Sequence, residues 1–156
     1  MNPAWSFHEP GLNTLELDQY MRNDPYIRQY YGGVKALNEL NVIVPEASLF
    51  IVNHDPSHEP GSHWITLFMQ QNPEHFDSLG LEPIDPIKSY LIFNGPNYLY
   101  NTKRVQSYAT NSCGMFCLFY AYFRCRNYSF KEVMNMFNDN MIVNEFVVNS
   151  FYNITK

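Results

Sequence analysis

Cys113 stands where a cysteine can act as a nucleophile. It follows the polar segment 110–112 (TNS) and opens a long apolar run. If Asn111 or Ser112 caps a helix there, the thiol lies in the first helical turn, where unpaired backbone N–H groups carry a partial positive charge that favours the thiolate. Those N–H groups would also face an oxyanion formed by attack on a carbonyl. The pattern therefore predicts acyl transfer through Cys113.

A thiolate nucleophile needs a base and further polar groups around it. His63 begins a predicted strand, so we expect its imidazole at a sheet edge. Asp77 ends the next short strand and could orient that imidazole, while Gln106 closes the third strand and offers an amide donor for the oxyanion. Gly114 removes a side chain where a substrate backbone would approach. Taken singly, each residue has an ordinary structural explanation, and their joint appearance favours a site.

Two other groups of residues are weaker candidates. Four side chains in a Pro-rich loop resemble metal ligands: His54, Asp55, His58 and Glu59. They lack a compact ligand spacing, so we predict a surface loop, with no metal and no cofactor. His58 is retained as a candidate for lining a cleft beside His63. Glu82 and Asp85 are alternative partners for the imidazole, although each lies near a proline in a predicted turn.

The surrounding elements predict an α+β domain, with a few strands followed by a helical C-terminal half. Strands are predicted at 48–53, 64–70, 74–78 and 98–105. Helices are predicted from residue 13 or 14 to 21, and at 86–93, 113–126 and 141–152, with another capped by Ser129 and Glu132. Gly32-Gly33 predicts a loop, and Leu37 with Leu40 a helical turn. The helix at 113–126 is apolar enough to be buried at the centre.

Composition limits the protein class. The chain has 156 residues, of which 46% are hydrophobic, so we expect one packed domain spanning 1–156. A net charge of −5 gives no overall attraction to nucleic acid or anionic membranes. There is no apolar run long enough to span a membrane, and Met1 to Pro10 does not resemble a signal peptide. The three cysteines suit a reducing compartment; we expect Cys117 in the core and Cys125 partly exposed.

Three motifs stand in a fixed order with Gln106: 61–64 (GSHW), 76–80 (FDSLG) and, after Gln106, 111–117 (NSCGMFC). Together they resemble the adenovirus-type cysteine proteases, which share a clan with the SUMO proteases. The likeness is greatest to versions encoded by Maverick/Polinton-type elements and related viruses, and it covers about residues 12 to 150. The resemblance implies a triad of His63, Asp77 and Cys113, with Gln106 in the oxyanion hole. It also implies that Trp64 helps to shape the substrate site.

The same resemblance implies a fold and a biological setting. In that family, a small mixed sheet packs on the central helix that carries the nucleophile. The family cleaves peptide bonds near glycine-containing sites, typically in structural precursor proteins during capsid maturation. The expected partner is therefore a precursor polyprotein or capsid protein, and the expected location is intracellular or in the virion rather than secreted. The segment 141–148 resembles a C-terminal family segment, for which we expect a structural role.

The chain also departs from the adenovirus enzyme, which is basic and uses DNA and a disulfide-linked peptide as cofactors. Because this chain is acidic, we do not expect DNA to activate it. Cys117 and Cys125 lie within or at the end of the predicted central helix, so a peptide activator has no obvious disulfide anchor.

Two alternative functions stay open. One is a deubiquitinating or SUMO-deconjugating protease of the same fold. The other is an inactive, protease-derived binding or capsid-assembly protein, against which the four intact candidate residues argue.

Overall fold

The computed structural model describes residues 11–40, 46–59 and 61–156. The expectation that Met1 to Pro10 is not a signal peptide lies outside these residues. Within them, the strands are β1 (Tyr31–Lys35), β2 (Ser48–Asn53), β3 (Trp64–Met69), β4 (Glu74–Phe76) and β5 (Leu99–Tyr100). The helices are α1 (Thr14–Asn23), α2 (Ile87–Asn94), α3 (Cys113–Arg124), α4 (Phe130–Met134) and α5 (Met141–Thr155). Short 3₁₀ turns cover Ile27–Tyr30 and Leu37–Glu39.

The five strands form one mixed sheet in the order β1-β2-β3-β4-β5. The two outer pairs are parallel, and the two inner pairs are antiparallel. The predicted mixture of helices with a small mixed sheet is confirmed at this level. No described helix has the length and apolar character needed to span a membrane.

Helices cover both faces of the sheet. Leu49 and Ile51 of β2 pack with α1 and α3, whereas Phe50 and Val52 face α2. Because both faces are buried, β2 and β3 read as nearly continuous apolar runs rather than as alternating strands. The sheet is therefore the middle layer that fixes where α3 begins.

Helix α3 is buried at the centre, as predicted. Its Phe116 and Tyr120 pack with Phe76 of β4 and Val148 of α5. Cys117 lies in the core, as expected. The expectation for Cys125 was wrong: this residue is buried at the C-terminal end of α3, in the cluster that α1 and α3 share.

One predicted loop and one predicted strand differ from the structure. The Gly32-Gly33 loop is part of strand β1; a Cβ on Gly32 would lie 2.8 Å from the carbonyl oxygen of Leu49, so glycine permits this close pairing. The strand predicted at 98–105 is limited to β5, since Asn101 leaves the sheet to bond the backbone of Asp77. The other predicted strands and helices agree with the structure to within three residues at each end.

Candidate active site

Cys113 is the first residue of α3, so its thiol lies in the first helical turn. Ser112 occupies the N-cap position, but its side chain does not cap the helix and instead donates a hydrogen bond of 2.5 Å to Glu145 on α5. The first-turn N–H groups of α3 are left without intrahelical partners, as at any helix start. Cys113 is only 8% exposed, and it is a free thiol.

His63 and Asp77 meet at one end of the sheet. His63 lies just before β3 and Asp77 just after β4, and the antiparallel pairing of these strands brings the two positions together. The His63 Nε2 is 2.7 Å from Asp77 Oδ1, which also accepts a 2.9 Å hydrogen bond from the Leu79 N–H. The Asp77 side chain is fully buried, and that of His63 is 11% exposed. The carboxylate therefore fixes the orientation of the imidazole in a place that little solvent reaches.

The Cys113 thiol lies near enough to His63 to act on the pKa of the imidazole. Because Nε2 faces Asp77, Nδ1 is the ring nitrogen left for the sulfur. Burial by itself would lower the pKa of His63, but the hydrogen bonds and charges of Asp77 and Cys113 outweigh it and raise the pKa to about 9. Burial would raise the pKa of Asp77, and the bond and charge of His63 bring it below its usual value. The pair therefore favours an imidazolium beside a carboxylate.

Asn101 holds the backbone of Asp77 from both sides. Its side-chain oxygen accepts from the Asp77 N–H at 2.9 Å, and its amide donates to the Asp77 carbonyl at 2.6 Å. Gly80 makes the turn after Asp77, with φ of +70°. A Cβ there would lie 2.8 Å from the backbone of residues 102–104. Asn101 and Gly80 thus lock the segment that carries Asp77 against the chain leading to Gln106.

Gln106 lies in the loop between β5 and α3 rather than at the end of a strand, so the expected placement was wrong. Its side chain is buried, and Oε1 accepts a 2.5 Å hydrogen bond from the Ser78 hydroxyl. Its Nε2 donates toward the carbonyl and the hydroxyl oxygens of Thr110, each at 3.2 Å. The amide nitrogen therefore points toward the loop that leads to Cys113.

Trp64 and Gly114 pack against each other beside the thiol. The Trp64 indole N–H donates to the Leu12 carbonyl at 3.1 Å. A Cβ on Gly114 would lie 3.2 Å from Leu12, 3.3 Å from Leu17 and 3.6 Å from Trp64, so this glycine allows α1 to pack on α3. Trp64 also lines a groove of about 190 Å³ with residues of α1 and β1 and with residues that follow β2, among them Asp55 and Gly61. Contact of either residue with a substrate stays a prediction.

Two histidines beside this site were not predicted. His54 follows β2, and continuing the β2–β3 register by one step sets it opposite His63; its N–H donates to the His63 carbonyl at 2.9 Å. The two rings lie 5.0 Å apart edge to face. Burial, and then the charge of His63, lower the pKa of His54. The signal available in the sequence was this register, which places His54, and not His58, beside His63.

His75 lies on β4 two residues before Asp77 and is fully buried. Neither of its ring nitrogens has a hydrogen-bond partner among the described residues. Burial lowers its pKa to about 4, against the opposing charge of Asp77, so His75 is neutral near pH 7.

The weaker candidates lie away from this arrangement. The His58 side chain is 76% exposed and lies 3.9 Å from Glu59. Glu82 is exposed, and Asp85 accepts a hydrogen bond from Ser89. In the described part of the chain, no group of three or more His, Cys, Asp or Glu side chains is placed to hold a metal ion.

Comparison with known proteins adds no family: no family model matches the chain, and no curated protein matches it at a significant level.

Proposed function

We propose that this protein is a cysteine endopeptidase with the fold of the adenovirus-type proteases. The observation that carries the proposal is the alignment of Cys113, His63 and Asp77. A thiol at a helix N-terminus lies near an imidazole, whose pKa it helps to raise, and one nitrogen of that imidazole is 2.7 Å from a buried carboxylate. A raised pKa for His63 suits an imidazolium that pairs with a thiolate.

In the first half-reaction, the Cys113 thiolate attacks the scissile carbonyl and forms a C–S bond. The carbonyl electron pair moves to oxygen and returns as the C–N bond breaks, and His63 gives its proton to the leaving amine. In the second, His63 takes a proton from water, hydroxide adds to the thioester, and the C–S bond breaks to release the acid. Asp77 holds the ring in the required tautomer and stabilises its charge.

The oxyanion would be held by first-turn N–H groups of α3 together with the Gln106 amide. An amide nitrogen has two N–H groups. Nε2 lies 3.2 Å from both Thr110 oxygens, and an oxyanion would take the N–H of one of these two contacts. On the opposite side of the Gln106 amide, the Ser78 hydroxyl donates to Oε1 and so helps to fix the orientation of the amide.

For the substrate, we propose peptide bonds near glycine-containing sites in structural precursor proteins of a virus or mobile element. This part rests on the resemblance of the motifs around His63, Asp77 and Cys113. The groove lined by Trp64 is a candidate site for part of an extended peptide, because Trp64 follows His63 in the chain and the groove is open rather than enclosed.

A peptide aldehyde ending in glycine tests the proposal, since its reversible hemithioacetal is strongly stabilised when the thiol lies beside an oxyanion site. We expect saturable protection of Cys113 from alkylation, read by mass spectrometry, with Cys117 and Cys125 unmodified because burial raises the pKa of both thiols. An Asp77→Ala variant should lose this protection. Absence of protection in the folded wild type, or protection that Asp77→Ala leaves unchanged, would contradict a catalytic triad.

A further inference from the structure

We propose that Glu145 of α5 is a positioning residue that sets the oxyanion hole of this protease; the inference rests on the function proposed above. Glu145 is 1% exposed. Its Oε1 accepts hydrogen bonds from the Thr110 hydroxyl at 2.6 Å and the Ser107 N–H at 3.2 Å, and its Oε2 accepts from the Ser112 hydroxyl at 2.5 Å. All three donors lie in the segment that joins Gln106 to Cys113.

The carboxylate helps to determine which way the Gln106 amide faces. A hydroxyl has a single proton, and Thr110 has two acceptors for it, Glu145 at 2.6 Å and the Ser107 carbonyl at 3.1 Å; we assign it to the nearer, charged oxygen. The Thr110 oxygen can then only accept from Gln106 Nε2, which the Thr110 carbonyl also holds. On the other side, the Ser78 hydroxyl donates to Gln106 Oε1. Glu145 therefore acts through the Thr110 hydroxyl, alongside the Thr110 carbonyl, to keep the nitrogen of Gln106, and not its oxygen, on the side of Cys113.

The second carboxylate oxygen holds the residue before the nucleophile. Ser112 would normally turn its hydroxyl back onto the N–H groups of its own helix. Here Glu145 takes that hydroxyl, so the first-turn N–H groups of α3 are not occupied by a cap. These are the N–H groups that an oxyanion needs.

The neighbouring residue anchors the other end of the segment. Asn144 is also buried, and its amide donates to the Val105 carbonyl at 3.1 Å and to the Asn138 carbonyl at 2.8 Å. Helix α5 thus forms hydrogen bonds with Val105, the residue before Gln106, and with Ser112, the residue before Cys113. A buried carboxylate is costly unless it is fully hydrogen-bonded, and three donors, all from the segment before Cys113, satisfy this one.

The test compares Glu145→Gln with the wild type in reactions that do and do not form an oxyanion. Iodoacetamide alkylates a thiolate directly, so its rate at Cys113 should stay within about threefold. Cleavage of a glycine-containing peptide amide should lose at least about tenfold in kcat, with KM within about threefold, as when a preorganised oxyanion donor is displaced. Binding of the peptide aldehyde should weaken by a similar factor.

Thr110→Val tests the same relay without a change in α5 and guards against misfolding of the Glu145 variant. It should lower kcat to a similar extent, and the double variant should lose less than the product of the two single losses. Glu132→Gln, in the exposed capping box of α4, is the matched control and should leave kcat unchanged.

The outcomes separate this inference from the proposed function. A wild-type protein that cleaves no peptide overturns the protease assignment itself. An active wild type whose Glu145→Gln and Thr110→Val variants keep kcat within about twofold overturns the positioning role alone. Loss of iodoacetamide reactivity in step with kcat would also overturn it, because the defect would then lie in the thiol and not in the oxyanion hole.

Discussion

His63 keeps a proton that its burial alone would remove. The Asp77 carboxylate and the Cys113 sulfur raise its pKa from the ordinary 6.5 to about 9. A group whose pKa is higher in the folded state stabilises the fold in full below its unfolded pKa, and it loses this contribution as the pH rises through the folded pKa. The stabilisation from His63 is therefore complete below about pH 6.5 and fades between there and about pH 9.

Asp77→Asn should remove most of this pH-dependent stability. The wild-type advantage in free energy of unfolding should be largest near pH 6 and should shrink by at most about 3 kcal/mol by pH 9.5. Urea denaturation at the two pH values measures it, with the exposed Asp85→Asn as control. An advantage equal at both pH values would show that the carboxylate does not hold the charge on His63.

The lowered pKa of Asp77 adds stability that is kept above the ordinary pKa of 3.8 and lost as the pH falls below it.

The residue types of the site could be predicted from sequence, but not all of its neighbours. Local chemistry and the family resemblance both predict Cys113 and His63, whereas Asp77 rests mainly on the resemblance; the structure brings the three residues together. His54 and Glu145 were not found. The position of His54 depends on strand register, and that of Glu145 on the packing of α5 against a loop that lies more than 30 residues away.

At the level of elements, the turn after β4 controls the position of Asp77. Gly80 has positive φ, and the backbone of 102–104 fills the space that a Cβ would need. The predicted strand at 98–105 was wrong beyond β5 because this stretch uses its polar groups to hold the turn. A pattern of alternating residues cannot reveal such side chain-to-backbone bonds. Strand β1 was missed for a different reason: its two glycines give no apolar pattern and are typical of a loop.

Gly80→Ala should destabilise the protein by more than about 2 kcal/mol, through left-handed strain and the backbone clash together. Asn127→Ala is the matched control, because Asn127 has a similar φ of 69° but is exposed. It should cost about 1 kcal/mol from the backbone conformation alone. Equal losses of unfolding free energy in thermal or urea denaturation would contradict close packing against residues 102–104.

At the scale of the whole molecule, a buried ion pair links helix α3, which begins at Cys113, to strand β4, which precedes Asp77. Arg124 near the end of α3 donates to both carboxylate oxygens of Glu74 on β4, at 2.7 and 2.5 Å. The hydroxyl of Tyr120 donates to the same carboxylate. Because Cys113 opens α3 and Asp77 follows β4, this link fixes the two halves of the site relative to each other.

Arg124→Ala should destabilise the fold by about 3–5 kcal/mol, because it leaves the buried Glu74 charge without its partner. A second change that removes the charge, Glu74→Gln, should restore part of the loss in the double variant. Arg28→Ala, at an exposed position on the 3₁₀ turn, should change stability by less than about 0.5 kcal/mol. Urea denaturation measures all four proteins, and a loss below about 1 kcal/mol for Arg124→Ala would contradict a structural role for the pair.

The most direct test of the central claim is cleavage of a glycine-containing peptide library by the wild type, Cys113→Ala and Cys125→Ala, followed by mass spectrometry. The three proteins are compared under conditions where urea denaturation shows each to be folded. We predict cleavage by the wild type and Cys125→Ala, and a rate at least about a thousandfold lower for Cys113→Ala. Cleavage by Cys113→Ala at the wild-type rate, or none by the folded wild type, would contradict a protease that works through Cys113.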